Sequence, residues 1–238
     1  MRGAMKGLRW VGLLGGAVLT AWGCARTQEP EEHPDPVQEA RPDYDALKAA
    51  TVTLFPGHCA GVIVADGHHA LTAAHCILGL GGQHQPVVLR DGQQLDGVVK
   101  IVDRIRDLAV IQLERTAPVR PLAVASNPPH PGEELLFAGR NDRPQEPQEV
   151  ELRRLGRCPS LPGVPQALFT SLHGEKGDSG APVVDQNLQV VGLVHGGAAC
   201  SIAAPTSEFV PVLDVLVAQV SRPEPAEQGV GGSGNAGQ

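Results

Sequence analysis

Three short stretches of this chain hold side chains suited to acyl transfer. Leu71-Thr72-Ala73-Ala74-His75-Cys76 carries a histidine, the side chain best matched to taking a proton from an alcohol near neutral pH. Gly177-Asp178-Ser179-Gly180-Ala181-Pro182 places a serine on a glycine-flanked turn, ahead of a Val-Val run. A nucleophilic hydroxyl needs such an exposed turn, and glycine lets backbone N–H groups face a substrate carbonyl oxygen. Asp107 heads the apolar run Leu108-Ala109-Val110-Ile111-Gln112-Leu113. A carboxylate buried there beside an imidazole would fix the tautomer and stabilise the imidazolium. Taken singly, each stretch has a plain alternative: a packed histidine, a surface turn, or an exposed acid at a strand start, with Asp103 as a rival to Asp107.

Together the stretches resemble the chymotrypsin/trypsin superfamily. TAAHC, D-L-A-x-I-x-L and GDSGxP occur here in that family's order of His, Asp and Ser. The resemblance covers about Thr51 to Val220. It implies an all-β fold of two six-stranded antiparallel barrels with a short C-terminal helix. It implies a monomeric serine endopeptidase that acts on protein or peptide substrates and needs no cofactor. In that scheme Ser179 attacks the scissile carbonyl, His75 serves as base and then acid, and Asp107 orients His75. The N–H groups of Gly177 and Ser179 form the oxyanion hole. Two other readings stand beside it: a non-catalytic binding or scaffold protein on the same fold, and a serine esterase.

The resemblance also implies where a pocket and disulfides should be. Cys59 and Cys76 bracket the histidine loop where the family commonly has a disulfide, which leaves Cys158 and Cys200 as the other pair. A zinc site of His58, Cys59, His75 and Cys76 is the rival. It lacks a C-x-x-C pair and would consume the base, so no metal is expected. His173, six residues before the serine, falls at the specificity-pocket floor, where trypsin-like enzymes hold aspartate. Val194, His195 and Gly197 fall on its wall. A histidine-lined pocket would suit an acidic side chain; the alternative is a small apolar pocket. No I-V-G-G-like start precedes Thr51, so Asp178 needs a partner other than a freed amine. Arg140 lies where some bacterial members place an arginine for that purpose, and an Arg140–Asp178 ion pair without maturation by cleavage is expected.

The elements that must position these residues are short. The chain has 29 glycines and 21 prolines, which favour turns and strands over long helices. Apolar, β-branched runs recur at Thr51–Phe55, Ala60–Ala65, Pro86–Leu89, Gly97–Val102, Leu108–Leu113, Glu134–Ala138, Glu149–Leu155, Gln166–Leu172, Pro182–Val184 and Gln189–Val194. Such spacing predicts a barrel or sandwich. Leu213, Leu216, Val217 and Val220 predict one amphipathic helix over Pro211–Val220. His68, His69 and His84 are read as loop histidines outside the chemistry.

The ends differ in composition. Residues 1–23 combine Arg2, Lys6 and Arg9 with an apolar stretch from Trp10 that is too short to span a membrane comfortably. The stretch ends at Gly23-Cys24, which resembles the lipobox of bacterial lipoproteins. That implies acylation of Cys24, export and a membrane tether in the cell envelope, periplasmic or at the outer membrane. An ordinary signal peptide cut near Ala25, with secretion, is the alternative. Setting Cys24 aside turns five cysteines into an even set, as exported proteins favour. Residues 24–43 form an acidic, proline-rich linker, 44–220 the folded domain, and 221–238 a second polar tail. The formal net charge of −7 argues against a nucleic-acid partner, which calls for a basic patch.

Overall fold

The structure, a computed structural model, describes residues 43–79, 81–140, 146–196 and 202–220. The expected targeting segment (residues 1–23), Cys24 and the rest of the expected linker to residue 42, the expected tail (221–238), Gly197 and Cys200 lie outside the described residues.

A helix α1 (Tyr44–Ala50) opens the domain, a feature the strand-dominated sequence reading missed. Asp43 caps it by accepting the Ala46 N–H at 3.0 Å, and Leu47 and Ala50 are buried. Seven strands follow: β1 (Thr51–Leu54), β2 (Cys59–Val64), β3 (His69–Thr72), β4 (Val87–Val88), β5 (Gln94–Leu95), β6 (Gly97–Asp103) and β7 (Leu108–Leu113). They form one antiparallel sheet in the order β5-β4-β1-β2-β3-β7-β6. Six more, β8 (Glu134–Phe137), β9 (Gln148–Gly156), β10 (Ala167–Thr170), β11 (Pro182–Val184), β12 (Val190–Val194) and β13 (Ile202–Pro205), close a barrel in the order β10-β13-β12-β11-β8-β9. A 3₁₀ turn at Ser207–Phe209 leads into α2 (Val210–Val220), the expected C-terminal helix.

The second half therefore matches the expected six-stranded barrel, and the first half departs from it. It is a seven-stranded sheet, because the hairpin at Asp91-Gly92 lets β4 and β5 pair as two very short strands. The segment that leads into β4 also touches the edge strand β6. Gln85 N–H donates to the Gly97 carbonyl at 2.8 Å and Val99 N–H to the Gln83 carbonyl at 3.0 Å, around an isolated bridge from His84 to Val98. His69 is also corrected: it is a fully buried β3 residue bonded through Nδ1 to Asp66 at 2.9 Å, not a loop histidine.

Several strands are apolar throughout because both faces are covered. Ala109 and Ile111 of β7 point into a core with Val52, Leu54, Ile63 and Val99, inside the first sheet. Their neighbours Leu108 and Val110 face the other way. There they pack with Val62, Leu71, Leu136, Val190 and Leu213 in a cluster that joins sheet, barrel and α2. In the barrel, Leu135 and Phe137 of β8 point inward with Leu152, Leu168 and Val183, while Leu136 points out. Successive residues on a strand face opposite sides, so one uninterrupted apolar run serves two cores.

Candidate active site

The histidine sits on a single 3₁₀ turn, Ala74–Cys76, immediately after β3. The aspartate is the residue before β7, at the tip of the β6–β7 hairpin, with φ of 56°. That left-handed conformation is tolerated by Asp better than by most residues. The two turns clamp each other. Ala74 N–H donates to the Asp107 carbonyl at 3.1 Å, and His75 N–H donates to Asp107 Oδ1 at 2.9 Å. His75 Nδ1 lies 2.8 Å from Oδ2 of the same carboxylate. Asp107 is thus the acid that reaches His75. Asp103, its rival, instead caps the hairpin, accepting from the N–H groups of Ile105 and Arg106, each at 2.9 Å.

Arg104 reinforces the arrangement, and sequence reasoning did not single it out. Its guanidinium donates to the carbonyls of Ala74, Ile77 and Gly79 at 3.3, 3.2 and 3.0 Å, fixing the histidine turn from outside. An arginine beside a turn has no spacing signature, so nothing in the chain's pattern marks it.

The serine comes from the barrel, on the turn between β10 and β11. Ser179 is anchored through its carbonyl, which accepts the Ala60 N–H of β2 at 2.8 Å. Gly180 follows at φ of 85°. A Cβ there would lie 2.2 Å from the Ala60 carbonyl oxygen and 2.4 Å from Thr72 Oγ1, so only glycine lets the serine turn dock on the first sheet. The Cys59–Cys76 disulfide closes the same corner. Bonded to each other, these sulfurs are not available as zinc ligands, which removes the rival site.

His75 and Ser179 line one cavity of about 740 Å³ with Gly57, His58, Arg140 and Gly177. His75 keeps 42% of its side chain exposed against 6% for Asp107, so the imidazole is open to the cavity while the carboxylate is covered. Ser179 Oγ makes no hydrogen bond to another described residue. The N–H groups of Gly177 and Ser179 likewise donate to no acceptor among the described residues.

Asp178 is buried and accepts from the Glu175 N–H at 2.7 Å and from the Arg140 backbone N–H at 3.2 Å. The Arg140 guanidinium donates to the His58 carbonyl at 3.2 Å. Arg140 and Asp178 do meet, and the bond resolved between them runs through the backbone of Arg140.

Of the residues expected around a specificity pocket, Gly197 lies outside the described residues. His173 is exposed, and Val194 is buried in the barrel core. His195 turns its ring toward Asp107. Its Nδ1 makes a very short contact with Oδ2, the oxygen that His75 also uses. The two rings stand 5.3 Å apart at 85°. A carboxylate can only accept, so both Nδ1 atoms carry protons. Of the other expected cysteines, Cys158 is buried with Sγ 3.1 Å from Ser160 Oγ.

Burial pushes the Asp107 carboxyl up. The hydrogen bonds from His195 and then His75, with the His75 charge and backbone N–H, outweigh it and hold the group at about 2 against an ordinary 3.8. A carboxylate with a lowered folded value stabilises the fold above its unfolded value and loses that contribution as pH falls through the folded one. The folded protein should therefore lose about 2 kcal/mol between about pH 5 and pH 2 from this group. Denaturant unfolding of wild type and Asp107→Asn at both pH values reads it. An equal loss in the two proteins would contradict the assignment.

The fold has solved counterparts. The Rv3671c protease in its inactive form superposes with a TM-score of 0.57 at 20% identity, over 79% of this chain and 98% of that one. The HtrA-type protease AlgW, solved with a tripeptide, gives 0.60 at 20% identity, over 75% and 65%. By sequence, the HhoA protein of Synechocystis sp. (strain ATCC 27184 / PCC 6803 / Kazusa), which is named as a serine protease, is 29% identical over 145 residues. That match covers 58% of this chain and 36% of the relative, so it spans little more than a third of that protein's length. Residues 59–193, more than half of the chain, match the model of the trypsin-like peptidase domain, and with a barrel, a histidine turn and a serine turn arranged as described, the chain belongs to that family.

Proposed function

We propose that the protein is a serine endopeptidase that cleaves peptide bonds through an acyl-enzyme, with His75, Asp107 and Ser179 as its triad. The observation that carries this reading is the His75–Asp107 bond at 2.8 Å on the rim of the cavity that also holds Ser179. Ser179 Oγ attacks the scissile carbonyl carbon and passes its proton to His75 Nε2. The resulting oxyanion takes up the open N–H groups of Gly177 and Ser179, each worth about 3 to 4 kcal/mol of barrier. Collapse expels the amine, which leaves with the proton held by His75. Water then repeats the sequence on the acyl group. The absent Ser179–His75 hydrogen bond fits a site without substrate, since such bonds are often long until substrate arrives. It equally fits the scaffold reading, and a fluorophosphonate probe separates the two. Labelling of the wild type but not of Ser179→Ala supports the enzyme, and a folded wild type that stays unlabelled supports the scaffold. A peptide library then distinguishes peptidase from esterase and reads the specificity.

Export and a lipid on Cys24 belong to the same proposal. They are supported by the basic start, the apolar stretch and Gly23-Cys24, and by a disulfide of the kind that persists in oxidising compartments. Activity without a cut is supported by the backbone donors on Asp178, which give a buried carboxylate partners that need no freed amine. The intact mass of protein purified from membranes reads both. A single N-terminus at acylated Cys24 is expected. A species starting near Thr51 would overturn the uncut form, and an unmodified terminus would overturn the lipid.

A further inference from the structure

His195 is not used by the acyl-transfer scheme, yet it sits on the carboxylate that the scheme depends on. One ring nitrogen of His195, one of His75 and a carboxylate oxygen of Asp107 all lie within 4.8 Å of one another, and Nδ1 is the atom each ring turns to Oδ2. Three supports hold these atoms in place. Asp107 Oδ1 is pinned by the His75 N–H at 2.9 Å, which leaves Oδ2 to face both rings. The His195 backbone N–H is held by the Ile202 carbonyl at 3.1 Å. The His75 turn is held by Arg104. A cavity of about 350 Å³, lined by His75, Arg104, Asp107, Ser160 and His195 among others, opens onto the group and gives it an entry path.

We propose that His75, Asp107 and His195 form an inhibitory site for a transition-metal dication of the zinc type. Two imidazole nitrogens and one carboxylate oxygen, with room for water in a fourth position, are a donor set suited to zinc, copper or nickel and unsuited to calcium or magnesium. Both rings already present the same atom to the same oxygen, so one ion at about 2.0 to 2.2 Å from each donor replaces the N–H···O contacts by a side-chain adjustment. The Arg104 guanidinium lines the same cavity, and its charge opposes any cation held by field alone. Directed nitrogen bonds are the means by which an ion stays, which again selects against magnesium and calcium.

Inhibition follows from the tautomer. An ion on Nδ1 takes that lone pair, so a neutral His75 must carry its proton on Nε2. Nε2 is the atom that has to accept the Ser179 proton. The occupied site therefore has no base, and removing the ion returns it. This consequence rests on the peptidase reading, whereas binding of the ion does not.

The test uses the mature chain. Zinc binding to Ser179→Ala, which needs no activity, is measured by competition with a chromophoric chelator. Crystals of the same protein soaked in zinc are then measured across the zinc absorption edge. An anomalous peak between His75 Nδ1, Asp107 Oδ2 and His195 Nδ1 is expected. In the active wild type, zinc should inhibit hydrolysis, a chelator should restore it, and magnesium or calcium should have no effect. His195→Gln should weaken zinc inhibition by roughly 10- to 100-fold or more, the loss typical when support for a metal site is removed. Zinc found only at other histidines would overturn the proposal, as would a crystal site left empty. So would inhibition that is equally strong in His195→Gln. If that variant does not fold, the anomalous map decides alone.

Discussion

On the peptidase reading, Ser179→Ala is expected to lower kcat for peptide hydrolysis by about a million-fold, the loss seen when the nucleophile of such a unit is removed, or about 8 kcal/mol of barrier. What survives is the contribution of the oxyanion donors and substrate binding, because Gly177 and residue 179 keep their N–H groups. The substitution tests chemistry and not folding. The anchor of this turn is the Ser179 carbonyl on the Ala60 N–H, and alanine retains it. The Oγ it removes bonds to no described side chain, so stability should move by less than about 0.5 kcal/mol. Single-turnover cleavage of a peptide, beside thermal unfolding, reads both quantities. Hydrolysis persisting near the wild-type rate would remove Ser179 from the mechanism.

Asp107→Asn is expected to lower kcat by about 10⁴-fold, or about 5.5 kcal/mol. Backbone strain does not explain it, since Asn occupies the left-handed region as readily as Asp. The reason is a shortage of acceptors. Asp107 Oδ1 takes the His75 N–H, while Oδ2 takes the Nδ1 protons of His75 and His195. An amide has one oxygen. If that oxygen stays on the backbone N–H, the NH₂ faces both rings and drives His75 to the tautomer protonated on Nε2. If it turns to the rings, the NH₂ meets the His75 N–H donor to donor. Either way the base is lost or the histidine turn is loosened. The same variant should lose less stability on acidification than the wild type, since it lacks the carboxyl held at about 2. A variant within about tenfold of wild-type kcat would mean that Asp107 does not set the tautomer.

Much of this site was legible in the chain because its local geometry is encoded locally. Gly177 and Gly180 both adopt positive φ, which glycine makes cheap, so the serine turn is written into four consecutive residues. The Asp107 run reads as a strand because its alternate residues fill two cores. The strands that escaped notice are those with little apolar pattern of their own. β3 lay hidden in the approach to the histidine motif, β5 is the two residues Gln94–Leu95, and β13 is the four residues Ile202–Pro205. α1 was missed because a seven-residue helix is held by its cap and by burial of Leu47 and Ala50, not by periodicity.

By itself, the sequence marked the candidate residues for acyl-transfer chemistry, a mostly-β fold, the C-terminal helix and, as an expectation, the Cys59–Cys76 disulfide. Only the tertiary structure decided that the first half is a seven-stranded sheet, that Arg104 braces the histidine turn, and that His195 faces Asp107. The physical reason is reach. A turn's backbone conformation depends on its own few residues, whereas the direction of a ring at the end of β12 depends on a hairpin 88 residues away in the chain, brought beside it only when sheet and barrel pack together.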